Sequence, residues 1–186
     1  IQPQPVGDLV GQDHVVRTLQ NSLASGKFAQ AFLFTGPRGT GKTSTARLLA
    51  KALNCEKGPL AEPCNECEHC TSITRGNCMD VVEMDAASES GVEQVRQNIV
   101  DTVDYRPVSC RYRVFIIDEV HDLSAKAFDA LLKTIEEPPP HIVFILATTE
   151  YHQVPATIRS RCQRYDFQRA TILQLVERLK HVAASE

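Results

Sequence analysis

The chain has 186 residues, which is enough for one hydrophobic core and the beginning of a second unit. Its apolar fraction of 42% and charged fraction of 23% are ordinary for a soluble globular protein. The net charge of −3 excludes a global attraction to nucleic acid, so any such contact must be local. No apolar run approaches the roughly 20 residues of a membrane helix, and no signal peptide is visible. We therefore expect a cytoplasmic protein with no membrane partner.

The spacing of apolar residues predicts an α/β chain in which strands and helices alternate after an extended segment at 1–12. A first helix is expected from Val15 to Leu23. The predicted strands are 31–35, 81–84, 113–117 and 142–147, and the predicted helices between them are 42–53, 91–103 and 124–136. Short, almost wholly apolar strands are typical of a parallel sheet with helices on both faces.

The domain organisation follows from where this alternation ends. Residues 1–168 are expected to form one α/β domain, interrupted by an insertion at about 55–78. From about Ala170, apolar spacing predicts an amphipathic helix that runs almost to the end of the sequence. We expect 169–186 to be the first helix of a helical lid domain that has been cut away.

A phosphate-binding motif stands between the first predicted strand and the helix that follows it. The motif G-x-x-x-x-G-K-[ST] is matched at every fixed position by Gly36-Pro37-Arg38-Gly39-Thr40-Gly41-Lys42-Thr43, and the next residue, Ser44, is a further candidate for nucleotide binding. Its backbone N–H groups would surround a β-phosphate at the helix N-terminus. Lys42 would reach the β- and γ-phosphate oxygens, and the Thr43 hydroxyl would bind Mg²⁺. The alternative is a structural glycine turn, and the strand–loop–helix context favours a nucleotide site.

An acid pair, Asp118 and Glu119, ends the apolar strand about 75 residues after that loop. An aspartate there can bind Mg²⁺, and the adjacent glutamate can orient and deprotonate the attacking water. Acids after apolar residues are common at exposed strand ends, but this pair after a phosphate loop favours hydrolysis over binding alone. His121 is interpreted as a polar residue at a helix start and not as a catalytic base.

Two further candidates depend on the motifs above. The Thr149 hydroxyl, at the end of a buried strand, would lie beside the phosphate loop and contact the γ-phosphate. The alternative is that this hydroxyl only caps the end of its own strand. Arg161 belongs to a cluster of arginines, which is usually a solvated surface. It becomes an arginine finger only if a neighbouring subunit presents its nucleotide to it.

Four of the seven cysteines follow the pattern C-x8-C-x2-C-x2-C within the insertion. They are Cys55, Cys64, Cys67 and Cys70. Proline and glycine prevent regular structure in this segment by itself, so a structural Zn²⁺ bound by four thiolates would fold it. The alternatives are reduced surface thiols, or a site in which His69 or Cys78 replaces one cysteine. Cys110 and Cys162 have no partners in spacing and are interpreted as core or surface thiols.

Together these motifs resemble the gamma/tau family of bacterial DNA polymerase III clamp-loader subunits, which are AAA+ ATPases. The resemblance covers almost the whole chain. It is carried by Val10-Gly11-Gln12-Asp13-His14, Gly36 to Thr43, Leu53-Asn54-Cys55, the other clustered cysteines, Asp85-Ala86-Ala87-Ser88, Ile117 to His121, Leu131 to Pro139, Ala147-Thr148-Thr149 and Ser160-Arg161-Cys162. The related delta-prime subunits lack a working phosphate loop, so the intact loop and acid pair favour gamma/tau.

The resemblance implies an AAA+ P-loop fold and an ATP-driven function. Copies of the chain would form a pentameric ring with delta and delta-prime subunits. ATP binding would let the ring open the sliding β clamp, and primer–template DNA would trigger hydrolysis and release. Because the finger acts on a neighbouring subunit and the lid is cut away, the isolated chain is expected to hydrolyse ATP poorly.

The resemblance also assigns roles to individual residues. It makes Lys42 and Thr43 ligands of phosphate and Mg²⁺, Asp118 the support of the metal, Glu119 the activator of water, Thr149 the first sensor, and Arg161 the trans-acting finger. Val10 and Gly11 would lie near the adenine. Lys133, and more weakly Arg96, would face DNA phosphates, which positions DNA without reading its sequence.

Two other functions are less well supported by the sequence. A non-hydrolysing structural arm like delta-prime is disfavoured by the intact loop and acid pair. A zinc-dependent nucleic-acid-binding module is disfavoured by the charge of the cysteine loop. That loop carries Lys57 and Arg75 against Glu56, Glu62, Glu66 and Glu68.

Overall fold

A computed structural model of the chain describes residues 11–60, 62–171, 173–174 and 176. The strands of the described part are β1 (Ala31–Thr35), β2 (Val81–Asp85), β3 (Arg113–Asp118), β4 (Ile142–Thr148) and β5 (Gln163–Asp166). Its α-helices are α1 (Asp13–Ser25), α2 (Lys42–Asn54), α3 (Glu68–Arg75), α4 (Val92–Asn98), α5 (Ala125–Glu136) and α6 (Ala156–Arg159). Within the same ranges, no helix has the length and apolar character to cross a membrane.

The five strands form one parallel sheet in the order β2-β3-β4-β1-β5. Thr35 at the end of β1 pairs in register with Thr148 at the end of β4, and Ile117 of β3 pairs with Leu146. The carboxyl ends of β1, β3 and β4 therefore meet at one edge of the sheet. In open α/β sheets this edge is where ligands bind.

Helices cover both faces of the sheet, as the apolar strands predicted. Alternate residues of β1 point to opposite faces, so Leu33 joins one core cluster and Phe32 and Phe34 join the other. The first cluster packs against α4 and α5, with Leu131 fully buried, and the second packs against α1 and α2. All residues of β1 and β4 are buried, so these two adjacent strands lie at the centre of the core.

Several elements differ from the sequence-based expectations. The edge strand β5 was not predicted, because exposed polar residues fill most of it. The insertion contains the helix α3, which begins at N-cap Cys67 and ends at Gly76 in the left-handed conformation. The helix expected over 91–103 breaks after Asn98 and continues as a short 3₁₀ turn at Val100–Thr102. Most of the helix expected from Ala170 lies outside the described residues, as do 1–10.

Candidate functional site

The phosphate-loop motif forms a tight turn between β1 and α2. Gly39 and Gly41 adopt the left-handed conformation, with φ of 79° and 92°, which is unfavourable for other residues. Gly36 also has a positive φ, and a side chain there would collide with the backbone carbonyl oxygen of Phe167. Backbone torsion and close packing therefore explain the glycines, and the loop delivers Lys42 directly into the first turn of α2.

The Lys42 side chain is folded back over the loop that precedes it. Its Nζ donates to the carbonyl oxygens of Gly36 at 2.8 Å and Pro37 at 2.9 Å, and the residue is only 6% exposed. Burial lowers the pKa of Lys42, although the negative charges of Glu119 and Asp118 oppose that shift. The ammonium group is thus a partly desolvated cation facing two carboxylates, which suits it to polyanionic phosphate.

Thr43 and Asp118 come together from distant parts of the sequence. The Thr43 hydroxyl donates to Oδ2 of Asp118 at 2.5 Å, although the two residues are 75 positions apart in the sequence. The other carboxylate oxygen, Oδ1, accepts from the backbone N–H of Glu119 at 3.0 Å. A hydroxyl and a carboxylate in contact offer two oxygen ligands of the kind that Mg²⁺ prefers.

Glu119 leaves β3 in a backbone conformation that is rare for its residue type, with φ 46° and ψ 46°. Its Oε2 atom accepts from the backbone N–H of Thr149 at 3.1 Å and from the Thr149 hydroxyl at 3.0 Å. The Thr149 hydroxyl therefore contacts the acid expected to activate water. Its expected contact with a γ-phosphate remains a prediction.

His121 belongs to the same network, which sequence reasoning missed. Its Nδ1 lies 3.4 Å from Oε2 of Glu119 and 3.0 Å from the hydroxyl of the fully buried Thr148. The Thr148 hydroxyl also accepts from the backbone N–H of Glu150 at 3.0 Å. His121 is the second residue of a short 3₁₀ turn (Val120–Asp122), and its ring links the Glu119 carboxylate to the end of β4. Only tertiary contact reveals this, since the sequence places His121 and Thr148 27 positions apart.

These side chains line an open cavity of about 840 Å³ at the carboxyl edge of the sheet. The lining residues that had been predicted are Pro37, Arg38, Gly39, Gly41, Lys42, Thr43, Ser44, Asp118, Glu119 and Thr149. Asp85 at the end of β2 and Arg169 also line it, and neither was singled out as a site residue. Of the remaining loop positions, Thr40 instead donates its hydroxyl to the Pro37 carbonyl oxygen at 2.8 Å.

The expected adenine contacts are only partly described. Val10 lies outside the described residues. Gly11 has a φ of 74°, and a side chain there would press against the backbone of Ala170 at 3.1 Å. Gly11 thus packs against Ala170, at the start of the segment expected to form the lid. Its contact with adenine remains a prediction.

Arg161 lies apart from the described residues that line the cavity. Its guanidinium donates to the Thr157 carbonyl oxygen at 2.7 Å and forms an ion pair with Glu136 at 2.6 Å. Both side chains of that ion pair are 38% exposed, so the arginine is available at the surface of the domain. The geometry therefore disfavours an action of Arg161 on the nucleotide in this chain's own cavity. Its action on the nucleotide of a neighbouring subunit stays a prediction.

The two expected DNA-contacting residues lie on adjacent helices. Arg96 is an exposed residue of α4, and Lys133 is an exposed residue of α5. These helices pack against each other on one face of the sheet. Two cations are therefore displayed on one helical layer, and their contact with DNA remains a prediction.

The four clustered cysteines converge at the start of the insertion. The sulfur atoms of Cys55, Cys64, Cys67 and Cys70 all lie within 4.8 Å of one another. Backbone N–H groups donate to three of them: Cys64 N–H to Cys55, Cys67 N–H to Cys64, and Cys70 N–H to Cys67, at 3.5, 3.4 and 3.4 Å. A tetrahedral zinc with Zn–S bonds of about 2.3 Å needs sulfurs roughly 3.8 Å apart, so this donor set fits Zn²⁺.

The alternative ligands lie elsewhere. His69 Nδ1 is 2.9 Å from the carbonyl oxygen of Asn54, and the Cys78 sulfur is 3.7 Å from that of Cys110. Backbone N–H groups of Glu66 and Cys67 lower the pKa of Cys64 to about 6, which favours the thiolate that zinc requires. Cys110, interpreted as a core or surface thiol, is partly buried, and its neighbour Cys78 is 32 positions away in the sequence, so spacing does not reveal it.

A protein-family model described as DNA polymerase III, delta subunit, matches residues 11–171. The chain belongs to this family. Within this family, similarity to tau and gamma subunits over the full chain confirms the resemblance to gamma/tau that the motifs indicated.

Three relatives illustrate the similarity. The chain is 56% identical to DNA polymerase III subunit tau of Bacillus subtilis, covering 100% of this chain and 33% of that protein. It is 48% identical to the tau subunit of Escherichia coli, covering 100% and 29%. It is 45% identical to the gamma subunit of Buchnera aphidicola, covering 100% and 51%. The chain therefore spans about a third to a half of the length of these relatives.

Solved structures support the fold. The Holliday junction branch migration motor RuvB of Thermotoga maritima aligns with a TM-score of 0.68 at 21% identity, covering 98% of this chain and 54% of that one. A DNA polymerase III gamma subunit-related protein of the same organism aligns with a TM-score of 0.56 at 21% identity, covering 87% and 47%. At this identity the similarity concerns the fold alone, and it confirms the predicted AAA+ P-loop architecture.

Proposed function

We propose that the chain is the ATP-hydrolysing motor domain of a DNA polymerase III clamp-loader subunit. The observation that carries this proposal is that Lys42, the Thr43–Asp118 contact and Glu119 line the same cavity. These groups supply a phosphate-binding cation, oxygen ligands and a candidate general base within one crevice. A site that only binds nucleotide does not need a general base such as Glu119.

Each group has a distinct task in this proposal. Lys42 gives up its two carbonyl contacts and binds the β- and γ-phosphate oxygens of ATP. Thr43 and Asp118 would hold Mg²⁺, which would neutralise charge at the phosphates. Glu119 accepts a proton from the attacking water, while Thr149 and His121 hold its carboxylate in place. Arg169, which lines the same cavity, adds a second cation for the triphosphate.

The assembly is proposed from family membership together with the surface position of Arg161. Copies of this subunit would form a ring with delta and delta-prime subunits, in which Arg161 reaches the nucleotide of the next subunit. An arginine finger is typically worth about 10³–10⁵ in rate, so the isolated chain would hydrolyse ATP slowly. The ring would use ATP to open the sliding β clamp and load it on primed DNA in the bacterial cytoplasm.

The exposed cations on α4 and α5 would contribute to the DNA-facing surface of that ring. Arg96 and Lys133 would contact phosphates of primer–template DNA, in which case substitution would weaken binding to all sequences equally. The acidic net charge of the chain is compatible with this, because only the inner surface of the ring must be basic.

The insertion is proposed to be a structural zinc module. The four cysteine thiolates would hold Zn²⁺ and fix the amino end of α3 against α2, with no metal chemistry. Residues 1–168 would form the nucleotide-binding domain, and 169–186 would begin the lid.

The proposal is tested by reconstituting the full-length subunit with its partner subunits. ATP turnover is measured with and without β clamp and primed DNA, beside a Lys42→Ala variant whose ATP affinity is titrated. We expect clamp and DNA to stimulate the wild type, and Lys42→Ala to lose at least about tenfold in affinity. Unstimulated turnover, or unchanged affinity in Lys42→Ala, would contradict the proposal.

A further inference from the structure

Cys78 and Cys110 form a thiol pair outside the four-cysteine cluster. Their sulfur atoms lie 3.7 Å apart although the residues are 32 positions apart in the sequence. Cys78 lies between α3 and β2, and Cys110 lies in the loop that leads into β3. Because β2 and β3 are parallel neighbours, the pair sits at the amino ends of these strands, opposite the edge that bears the nucleotide cavity.

The backbone around the pair is fixed by a buried carboxylate. Asp80 is 0% exposed, and its carboxylate accepts from the backbone N–H groups of Val108, Ser109 and Cys110 at 2.7, 2.9 and 2.8 Å. Asp80 is two residues after Cys78. The segment that carries the Cys78 thiol therefore also carries the carboxylate that binds the loop containing Cys110. The two sulfurs are therefore held close by the main chain and not by their side-chain rotamers alone.

The two thiols differ in their readiness to ionise. A hydrogen bond from the Cys110 thiol lowers the pKa of Cys78 to about 6 against the opposing effect of burial, and the Asp80 backbone N–H and the Ser72 hydroxyl assist. The pKa of Cys110 is raised, because its proton is shared with the Cys78 sulfur and because the group is partly buried. A thiolate nucleophile beside a protonated thiol is the arrangement found at redox-sensitive cysteines.

We propose that Cys78 and Cys110 form a reversible disulfide when the chain meets a hydroperoxide. The Cys78 thiolate attacks one peroxide oxygen, the O–O bond breaks, and a sulfenic acid forms while hydroxide leaves and takes up a proton. The Cys110 sulfur then attacks the sulfenic sulfur, the S–O bond breaks, and water leaves. Two thiols are oxidised by the loss of two hydrogens, and hydrogen peroxide is reduced to two waters.

The geometry favours the second step. The hydrogen bond to the Cys78 thiolate raises the pKa of Cys110. When Cys78 becomes a sulfenic acid that thiolate is lost, so Cys110 ionises more readily and can attack the Cys78 sulfur. The sulfurs must then close by roughly 1.7 Å to reach a disulfide bond of about 2.05 Å. The bond would tie the segment that follows the zinc module to the loop before β3. This inference is independent of the proposed ATPase function.

The test treats the zinc-loaded chain with increasing hydrogen peroxide, alkylates the free thiols and maps the peptides by mass spectrometry without reduction. We expect a cross-linked peptide containing Cys78 and Cys110, lighter by about 2 Da than the two reduced peptides, before zinc is released or Cys162 is oxidised. Dithiothreitol should separate it. The matched variant Cys162→Ser should give the same yield.

Two variants test the assignment of nucleophile and partner. Cys110→Ser should accumulate a dimedone-reactive sulfenic acid at Cys78, whereas Cys78→Ser should show at least about fivefold less label at Cys110 at the same dose. Zinc content and circular dichroism verify folding, and Cys110→Ala replaces Cys110→Ser if the latter fails to fold. Separate alkylation of both thiols while the zinc cysteines oxidise, or equal labelling in the two variants, would overturn the proposal.

Discussion

Thr149 holds Glu119 through two donors, its backbone N–H and its hydroxyl, which meet the same carboxylate oxygen at 3.1 and 3.0 Å. One residue at the end of β4 thereby fixes the acid at the end of β3. Since the two strands are neighbours in a buried parallel sheet, the distance between these groups is set by the core. The position of the candidate base is thus a consequence of sheet packing and not of a mobile loop.

Replacing Thr149 by Val is expected to reduce turnover more than binding. The substitution retains the backbone N–H and the side-chain volume but removes the hydroxyl donor, so Glu119 loses one of its two anchors to this residue. In the assembled complex we expect kcat to fall by about 10–100-fold, while ATP affinity changes by less than about threefold. Steady-state ATPase and nucleotide titration provide the two readings. Thr149→Ser should retain most activity, and a proportional loss of affinity would contradict this role.

Much of this site could be predicted because each motif sits at the end of an apolar strand. The strands at 31–35 and 113–117 are apolar apart from Thr35 and Arg113, and parallel strands place their carboxyl ends at one edge. The loop and the acid pair therefore had to converge if the sheet formed. The sequence could not predict which side chains from different strands and loops point into the same cavity. His121 and Arg169 join the cavity only through tertiary contacts.

The elements that were missed share a physical cause. The edge strand β5 buries mainly Tyr165 and exposes its polar neighbours, so it lacks the apolar run by which the inner strands were found. The pairing of Cys78 with Cys110 depends on the adjacency of β2 and β3, which spacing along the chain does not reveal. Helix α3 was hidden by the proline and glycine content before it, although Cys67 caps it by accepting from the Cys70 N–H.

Removing zinc is expected to unfold the insertion locally. With the metal gone, the four thiols and the donors that surround them cannot hold α3, because the segment has little apolar core of its own. Hydrogen exchange after chelation should lose protection over 55–78 and keep it in β1 and β4. Cys64→Ser should reproduce the effect and Cys162→Ser should not. An unchanged exchange pattern over 55–78 would count against a zinc module.

Asp80→Asn is expected to destabilise the domain at neutral pH. The buried carboxylate accepts three backbone N–H groups, and replacing one oxygen by an amide nitrogen sets donor against donor. Hydrogen bonds to a charged group are worth about 1.5–3 kcal/mol, so we expect a loss of about 2 kcal/mol in the free energy of unfolding. Urea denaturation measures it, and Asp104→Asn, at an exposed position, should change it by less than about 0.5 kcal/mol.

The effect of Asp80→Asn on the free energy of unfolding is expected to depend on pH. Burial alone would raise the pKa of Asp80, but the backbone donors at Cys110, Ser109 and Val108 outweigh it and leave the pKa below its usual value. A depressed pKa contributes stability above the unfolded value of about 3.9, and that contribution is lost as the pH falls through the folded value. The difference between wild type and Asp80→Asn should therefore be constant near neutrality and shrink below about pH 4. A difference that grows towards acid would contradict this assignment.

The most direct test of the account is Glu119→Gln in the full-length subunit assembled with its partners. The substitution keeps the shape of the side chain and removes the group that accepts a proton from water. We predict that ATP affinity in the presence of Mg²⁺ stays within about threefold of wild type while clamp-stimulated turnover falls by at least about 10²-fold. The exposed Glu62→Gln should behave as wild type. Turnover close to that of the wild type in Glu119→Gln would remove Glu119 as the base and contradict the proposed mechanism.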